Sequence, residues 1–305
     1  MLSKIKMIHI EPTNMCTLKC PKCARTEFIQ KFPKNWSNVN INLEHLKSFL
    51  DIDLTNIKIR LCGNYGDPIY YPELYELIKF LKEKNASVLL ITNGSYKSVE
   101  WWESIVNIMD STDCINFSID GTPDNFVQYR INADWESIKS AIDVIAKTPV
   151  ELVWKYIPFS YNQFDIDYTR ELSKDLGFDR FLIEPSDRWE NENDSLKPIN
   201  FETSRTNLDS WRYDNNRSTE VNPLCKKLND QHYISADGFY MPCCFVGDYR
   251  FYYKSEFFKN KNIYDISKTT ITELLSRDNV IKFYNDVEVN KLSYCTFNCS
   301  QGCDE

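Results

Sequence analysis

A net charge of −8 over 305 residues, with no basic stripe, argues against a general binder of phosphate backbones. The 42% apolar content is enough for an ordinary core. No run approaches the roughly 18 apolar residues of a membrane span and no secretory leader is visible, so membrane and secreted classes are set aside and a cytoplasmic protein is expected. Eleven cysteines, an odd number at fixed spacings, fit intracellular metal binding better than a disulfide framework. The length suits one large domain and a small one.

In chain order the elements alternate. Residues 5–10 read as a strand, 41–51 as a helix with Asn42 at its N-cap, and 57–61 as a second strand. A helix over 72–85 places Leu74, Leu77, Ile78 and Leu81 on one face, with Pro72 early, where a missing N–H costs nothing. A strand follows over 87–92, a helix over 98–109 and a strand over 114–120. Then come a helix over 134–147 capped by Asp134, a strand over 150–157, a helix ending at Gly177 and a sixth strand over 181–184. Six strands separated by helices predict a parallel sheet whose site lies at the C-terminal strand ends.

Cys16, Cys20 and Cys23 stand as C-x3-C-x2-C directly after the first strand. Three thiolates this close can hold three irons of a cubane and leave the fourth iron open for chemistry. The alternative is zinc, although zinc motifs usually pair C-x2-C knuckles and close with four ligands. The spacing and the strand-then-loop context resemble the radical S-adenosylmethionine (SAM) superfamily. The resemblance implies an α/β fold with a partial (β/α)6 barrel over residues 1–187. It also implies a [4Fe–4S] cluster on the three cysteines, with SAM chelating the open iron through its amino and carboxylate groups.

The other strand ends carry a family-like set. The family commonly has Gly-Gly-Glu-Pro after its second strand, whose backbone and acid meet the SAM amino group. This chain has Tyr65-Gly66-Asp67-Pro68, so Gly66 and the shorter Asp67 stand in those places. The bland reading of that segment is a Gly/Pro turn. Asn93, in Thr92-Asn93-Gly94, ends the third strand, and Asn-Gly is also a common turn. Ser118 and Asp120 share one face of the fourth strand, and in relatives such a pair meets the ribose. Arg130 can fork onto the SAM carboxylate or form a surface ion pair. Lys155, inside a strand, needs a partner and serves SAM, substrate or an edge.

Residues 188–222 are polar and read as a connector. Beyond it, Cys225, Gly238 and Cys243 stand as C-x12-G-x4-C, which resembles the opening of the SPASM and twitch extensions of radical SAM enzymes. Residues 232–235 and 239–245 read as a hairpin turning at Asp237-Gly238. Alternation along a strand places Cys243 and Cys244 on opposite faces, and the family pattern selects Cys243 as ligand. Cys295, Cys299 and Cys303 supply the remaining candidates. The resemblance implies a small cysteine-rich α+β domain over 223–305 with one auxiliary [4Fe–4S] cluster. Zinc on the same thiolates is the alternative.

The activity implied is reductive cleavage of SAM to a 5′-deoxyadenosyl radical that takes hydrogen from an unactivated carbon. An auxiliary cluster as electron acceptor gives net oxidation. No peptide-recognition domain precedes the first motif, which favours a small-molecule substrate such as a sugar, cyclitol or nucleotide. The electron donor expected is a flavodoxin or ferredoxin. Epimerisation, with Cys62, Cys114 or Cys244 as hydrogen donor, and peptide or protein maturation are the rival chemistries. A non-enzymatic iron–sulfur or zinc protein on the same fold is the remaining alternative.

Overall fold

The computed structural model describes residues 5–199, apart from 185, 187, 190 and 192, and residues 232–288. Six parallel strands form in sequence order, each separated from the next by helix. They are β1 (Met7–Ile10), β2 (Lys58–Leu61), β3 (Ser87–Thr92), β4 (Cys114–Ser118), β5 (Glu151–Tyr156) and β6 (Arg180–Ile183). Consecutive strands pair along the sheet, the order expected of a partial barrel built from successive β/α units. β4 is buried at every position, as a central parallel strand covered on both faces must be.

The helices pack by the periodicity the sequence carries. They are α1 (Ala24–Lys31), α2 (Leu43–Phe49), α3 (Leu74–Glu83), α4 (Val99–Val106), α5 (Trp135–Ile145) and α6 (Ile166–Asp175). In α3, Leu74, Leu77, Ile78 and Leu81 are all buried in the core. Each contributes about 1.5–3 kcal/mol of burial. Asn42 caps α2 by accepting the N–H of His45, and Ser98 caps α4 by accepting the N–H of Trp101. Asp134 sits at the N-cap of α5 but its side chain accepts no helix bond; its own N–H donates to Ser95 Oγ at 3.2 Å. Gly177 ends the helix α6 with φ +86°, a conformation that suits glycine. The sequence reading did not include α1, because Ala24 and Phe28 are its buried residues and leave almost no periodic signal.

The tail hairpin extends the same sheet. β7 (His232–Ile234) pairs in parallel with β1, and β8 (Tyr240–Met241) pairs antiparallel with β7. The sheet order among the described residues is therefore β6-β5-β4-β3-β2-β1-β7-β8. Gly238 makes the turn with φ +81°. The second hairpin strand ends at Met241, well short of the expected residue 245, and Cys243 and Cys244 lie in the turns that follow. The strand alternation invoked for these two cysteines does not apply to them. Among the described residues no helix is long and apolar enough to cross a membrane.

Candidate functional site

The C-terminal strand ends open onto a cavity of about 400 Å³ whose lining includes Cys16, Cys20 and Cys23. The loop that carries them is tied down at several points. Asn14 accepts the N–H of Val39 at 2.8 Å and donates to Ser37 O at 2.8 Å. Lys19 N–H reaches Ile131 O at 3.0 Å, and Lys22 Nζ is 2.7 Å from Asp194. Cys23 is the residue from which α1 starts.

The turn after β2 lies directly against this loop. The N–H of Asp67 donates to Met15 O at 2.8 Å. A Cβ on Gly66 would fall 1.9 Å from Thr13 O, so glycine is required by the close approach of two backbones. Glu11 holds the turn from beneath. Its Oε1 accepts the N–H groups of Tyr65 at 2.8 Å and Gly66 at 2.9 Å, and its Oε2 accepts the hydroxyl of Tyr233 on β7. Burial raises the Glu11 carboxyl pKa, against the pull of these donors. Sequence reasoning did not single out Glu11. Its signal was an acid closing an apolar strand just before the cysteines, a place where an unpaired charge is costly.

Asp67 is buried, and its four lone-pair positions are matched by four donors. Oδ1 accepts from Thr92 Oγ1 at 2.8 Å and Ile69 N at 3.2 Å. Oδ2 accepts from Asn93 N at 2.7 Å and from Asn93 Nδ2. A ligand amino group would therefore compete with protein donors for this carboxylate. Asn93, so held, also brings Nδ2 to 3.8 Å from Cys16 Sγ.

Arg130 occupies the matching place on the other side of the motif. Nε donates to Asp120 Oδ2 at 2.6 Å, and Nη1 lies 3.9 Å from Cys20 Sγ. Asp120 is fully buried, also accepts the N–H of Ile157 at 2.8 Å, and is not among the cavity-lining residues. Its burial raises the carboxyl pKa, and the Arg130 guanidinium opposes this. Arg130 is thus buried with Asp120 rather than paired at the surface. Ser118 and Lys155 line the cavity, with Lys155 ion-paired to Glu184.

Burial pushes the Cys16 thiol up to about 12, helped by the Asp67 charge. Burial pushes the Cys20 thiol up to about 11, although Arg130 opposes it. As free groups both stay protonated at neutral pH. They become thiolates only with a cation bound, and donors from Asn93 and Arg130 already face their sulfurs. Among the described residues no three Cys, His, Asp or Glu side chains converge as a single ion requires. Three thiols lining one cavity, two of them faced by N–H donors, are a donor set that fits an iron–sulfur cluster.

Further thiols lie nearby. Cys62, at the end of β2, lines the cavity. Behind it the imidazole of His9 reaches Cys62 O at 2.8 Å and bonds the side chains of Cys244 and Cys62. Burial works against its charge, but these bonds hold its pKa at about 10, and Cys244 falls well below the usual thiol value through its bonds from Cys243 and His9. Cys114 begins β4, at the far end of the strand from the cavity, and does not line it. Cys225, Cys295, Cys299 and Cys303 fall outside the described residues.

The family profile of the Radical SAM superfamily matches residues 10–165, just over half of the chain. The chain belongs to the radical SAM superfamily. Among curated proteins, this radical SAM chain is 24% identical over 223 residues to an AdoMet-dependent heme synthase of Methanosarcina barkeri. That match covers 71% of this chain and 60% of the synthase, so the chain spans less than two thirds of that relative. Among solved structures, Streptococcus suis SuiB bound to precursor peptide SuiA superposes with a TM-score of 0.63 at 12% identity, over 92% of this chain and 66% of SuiB. Native anSMEcpe with bound AdoMet and Kp18Cys peptide superposes with a TM-score of 0.58 at 15% identity, over 97% of this chain and 88% of anSMEcpe. These likenesses establish the mixed α/β fold with its parallel sheet.

Proposed function

We propose that this radical SAM enzyme oxidises a small molecule, with an auxiliary [4Fe–4S] cluster in the tail as electron acceptor. The observation that carries the reading is one cavity lined by Cys16, Cys20 and Cys23 together with Asn93, Ser118, Arg130 and Lys155. The three cysteines would hold the first cluster. The open iron and the strand-end residues would hold SAM. When bound, cluster and SAM supply one-electron cleavage of the sulfonium and a hydrogen-abstracting radical. The chain's own residues keep the loop in place, present Arg130 and Lys155 to anionic groups of SAM, and wall the site from water. Asp67 and Asp120 act by fixing Asn93 and Arg130. The heme synthase supports the small-molecule side, since its name joins AdoMet dependence to a small product.

Under this reading, Cys243, Cys225 and two of Cys295, Cys299 and Cys303 bind the second cluster in a SPASM- or twitch-like tail. The protein is cytoplasmic and takes electrons from a flavodoxin or ferredoxin. The test is anaerobic reconstitution, reduction and incubation with SAM. Wild-type protein should release 5′-deoxyadenosine, and the triple variant Cys16→Ala, Cys20→Ala, Cys23→Ala should release none. Undiminished release from the triple variant overturns the assignment. Incubation with cell metabolites and mass spectrometry then identifies the altered compound.

One observation favours epimerisation as a second reading: Cys62 lines the cavity without belonging to the first cysteine motif. Deuterium taken up from solvent into the product, and lost in Cys62→Ala, would decide for it.

A further inference from the structure

The cations around the cavity are unequally matched with acids. Arg130 pairs with Asp120, Lys155 with Glu184, and Arg250 with Asp248 at 3.1 Å. Arg25 also lines the cavity, two residues after Cys23 in the first turn of α1. Among the described residues it has no acidic partner. Its Nε is buried with no hydrogen-bond acceptor, and Nη1 makes a single long contact of 3.4 Å to Leu18 O. Leaving a guanidinium N–H buried and unmatched is costly, so the position is expensive for stability alone.

The surroundings hold Arg25 in place without satisfying it. Its guanidinium lies over the Trp36 ring, 5.5 Å from the centroid. Trp36 packs edge-on against Tyr65 at 6.0 Å, and Tyr65 and Phe28 also line or back this wall. A cation over an aromatic face is held there by the ring's quadrupole, which leaves the terminal nitrogens of Arg25 free to meet an acceptor in the cavity. Arg250, beside Glu27 of the same helix at 3.7 Å, adds a second cation to this side of the cavity. Of the cavity residues that suit SAM, Ser118 and Lys155 lie on β4 and β5, Asn93 directly follows β3, and Arg130 lies between β4 and α5. Gly66 and Asp67 sit in the turn after β2, whereas Arg25 and Arg250 come from α1 and the tail.

We propose that Arg25 is a specificity-determining residue that takes a carboxylate or phosphate of the substrate in a bidentate fork, and that the substrate is therefore an anionic small molecule. This rests on the reading that the cavity holds substrate beside SAM. A guanidinium matches both oxyanions, and the terminal Nη1 and Nη2 edge of Arg25 can supply two parallel N–H···O bonds.

The test reads binding directly, so it stands apart from SAM cleavage. Reconstituted full-length protein is titrated calorimetrically, without and with saturating SAM, using succinate, inorganic phosphate and uncharged succinamide as probes. Succinate or phosphate should bind and succinamide should not, and the stronger of the two anions names the oxyanion class. Arg25→Gln should weaken anion binding about tenfold, equivalent to ~1.4 kcal/mol. Arg25→Lys, which keeps the charge and loses the fork, should weaken it about threefold. Circular dichroism checks folding, and Arg25→Lys carries the test alone if Arg25→Gln does not fold. Undiminished anion affinity in a folded variant, or no anion binding by wild type, overturns the proposal. Competition between the anion and SAM also overturns it, because the partner of Arg25 would then be SAM's own carboxylate.

Discussion

Asp67 illustrates how a residue at a ligand site can act through its neighbours. Four protein donors meet its carboxylate. Asp67→Ala should leave the Thr92 hydroxyl, two N–H groups of Asn93 and the Ile69 N–H without an acceptor. The expected loss is about 2–4 kcal/mol, read from urea unfolding, together with weaker SAM binding because Asn93 loses its anchor beside Cys16. A direct contact to SAM and no structural role would instead give weaker SAM binding at unchanged stability. The two readings separate on the unfolding midpoint. Gly66 is constrained as tightly, but by a backbone that approaches to the distance of a Cβ.

At the scale of elements, the acids Asp110 and Asp113 tie the end of α3 to the start of the strands. Asp113 is buried and accepts the N–H of Val88 at 2.7 Å and of Asp110 at 2.8 Å, and Lys82 of α3 reaches it at 2.9 Å. Asp113→Ala should cost at least ~2 kcal/mol in urea unfolding, because a buried strand N–H and a lysine lose their acceptor together. Asp110 is more exposed. The hydroxyl and N–H of Thr112, and then Lys82, hold its pKa down at about 2. A folded pKa below the unfolded value gives stability that is present above about pH 4. That stability is lost as pH falls through about 2. The unfolding midpoint should therefore drop between pH 5 and pH 2, and by less in Asp110→Asn than in wild type.

At the scale of the whole molecule, the tail and the first β/α units share one sheet. Glu11 N–H donates to Ile234 O at 2.9 Å, while its carboxylate joins Tyr233 to the glycine turn. Anything that orders the tail is thereby coupled to the loop of Cys16. Iron analysis after anaerobic reconstitution should give about eight irons per chain for two cubanes; four irons with one zinc would make the tail a zinc site. The double variant Cys225→Ala, Cys243→Ala should keep cleavage of SAM without substrate and lose formation of oxidised product. Normal product from a folded double variant that lacks the second cluster would reject the redox role and bring epimerisation forward.

The local alternation of apolar runs and helix periods was enough, by itself, to determine the six β/α units, because burial on a sheet face or helix stripe leaves a mark every two or three to four residues. C-x3-C-x2-C was legible for the same reason: a cluster needs its ligands at short range along the chain. Helix α1 left little mark, having few buried positions, and the hairpin strand was read too long because Phe245 and its neighbours are apolar without being paired. Tertiary structure decided what depends on contacts between distant segments. It set β7 beside β1, matched Asp67 and Asp120 with protein donors, and placed Glu11 under the glycine turn. It also left Arg25 against Trp36 without an acid among the described residues. No local pattern encodes these, because a side chain's partner is fixed by which strand ends the sheet brings together.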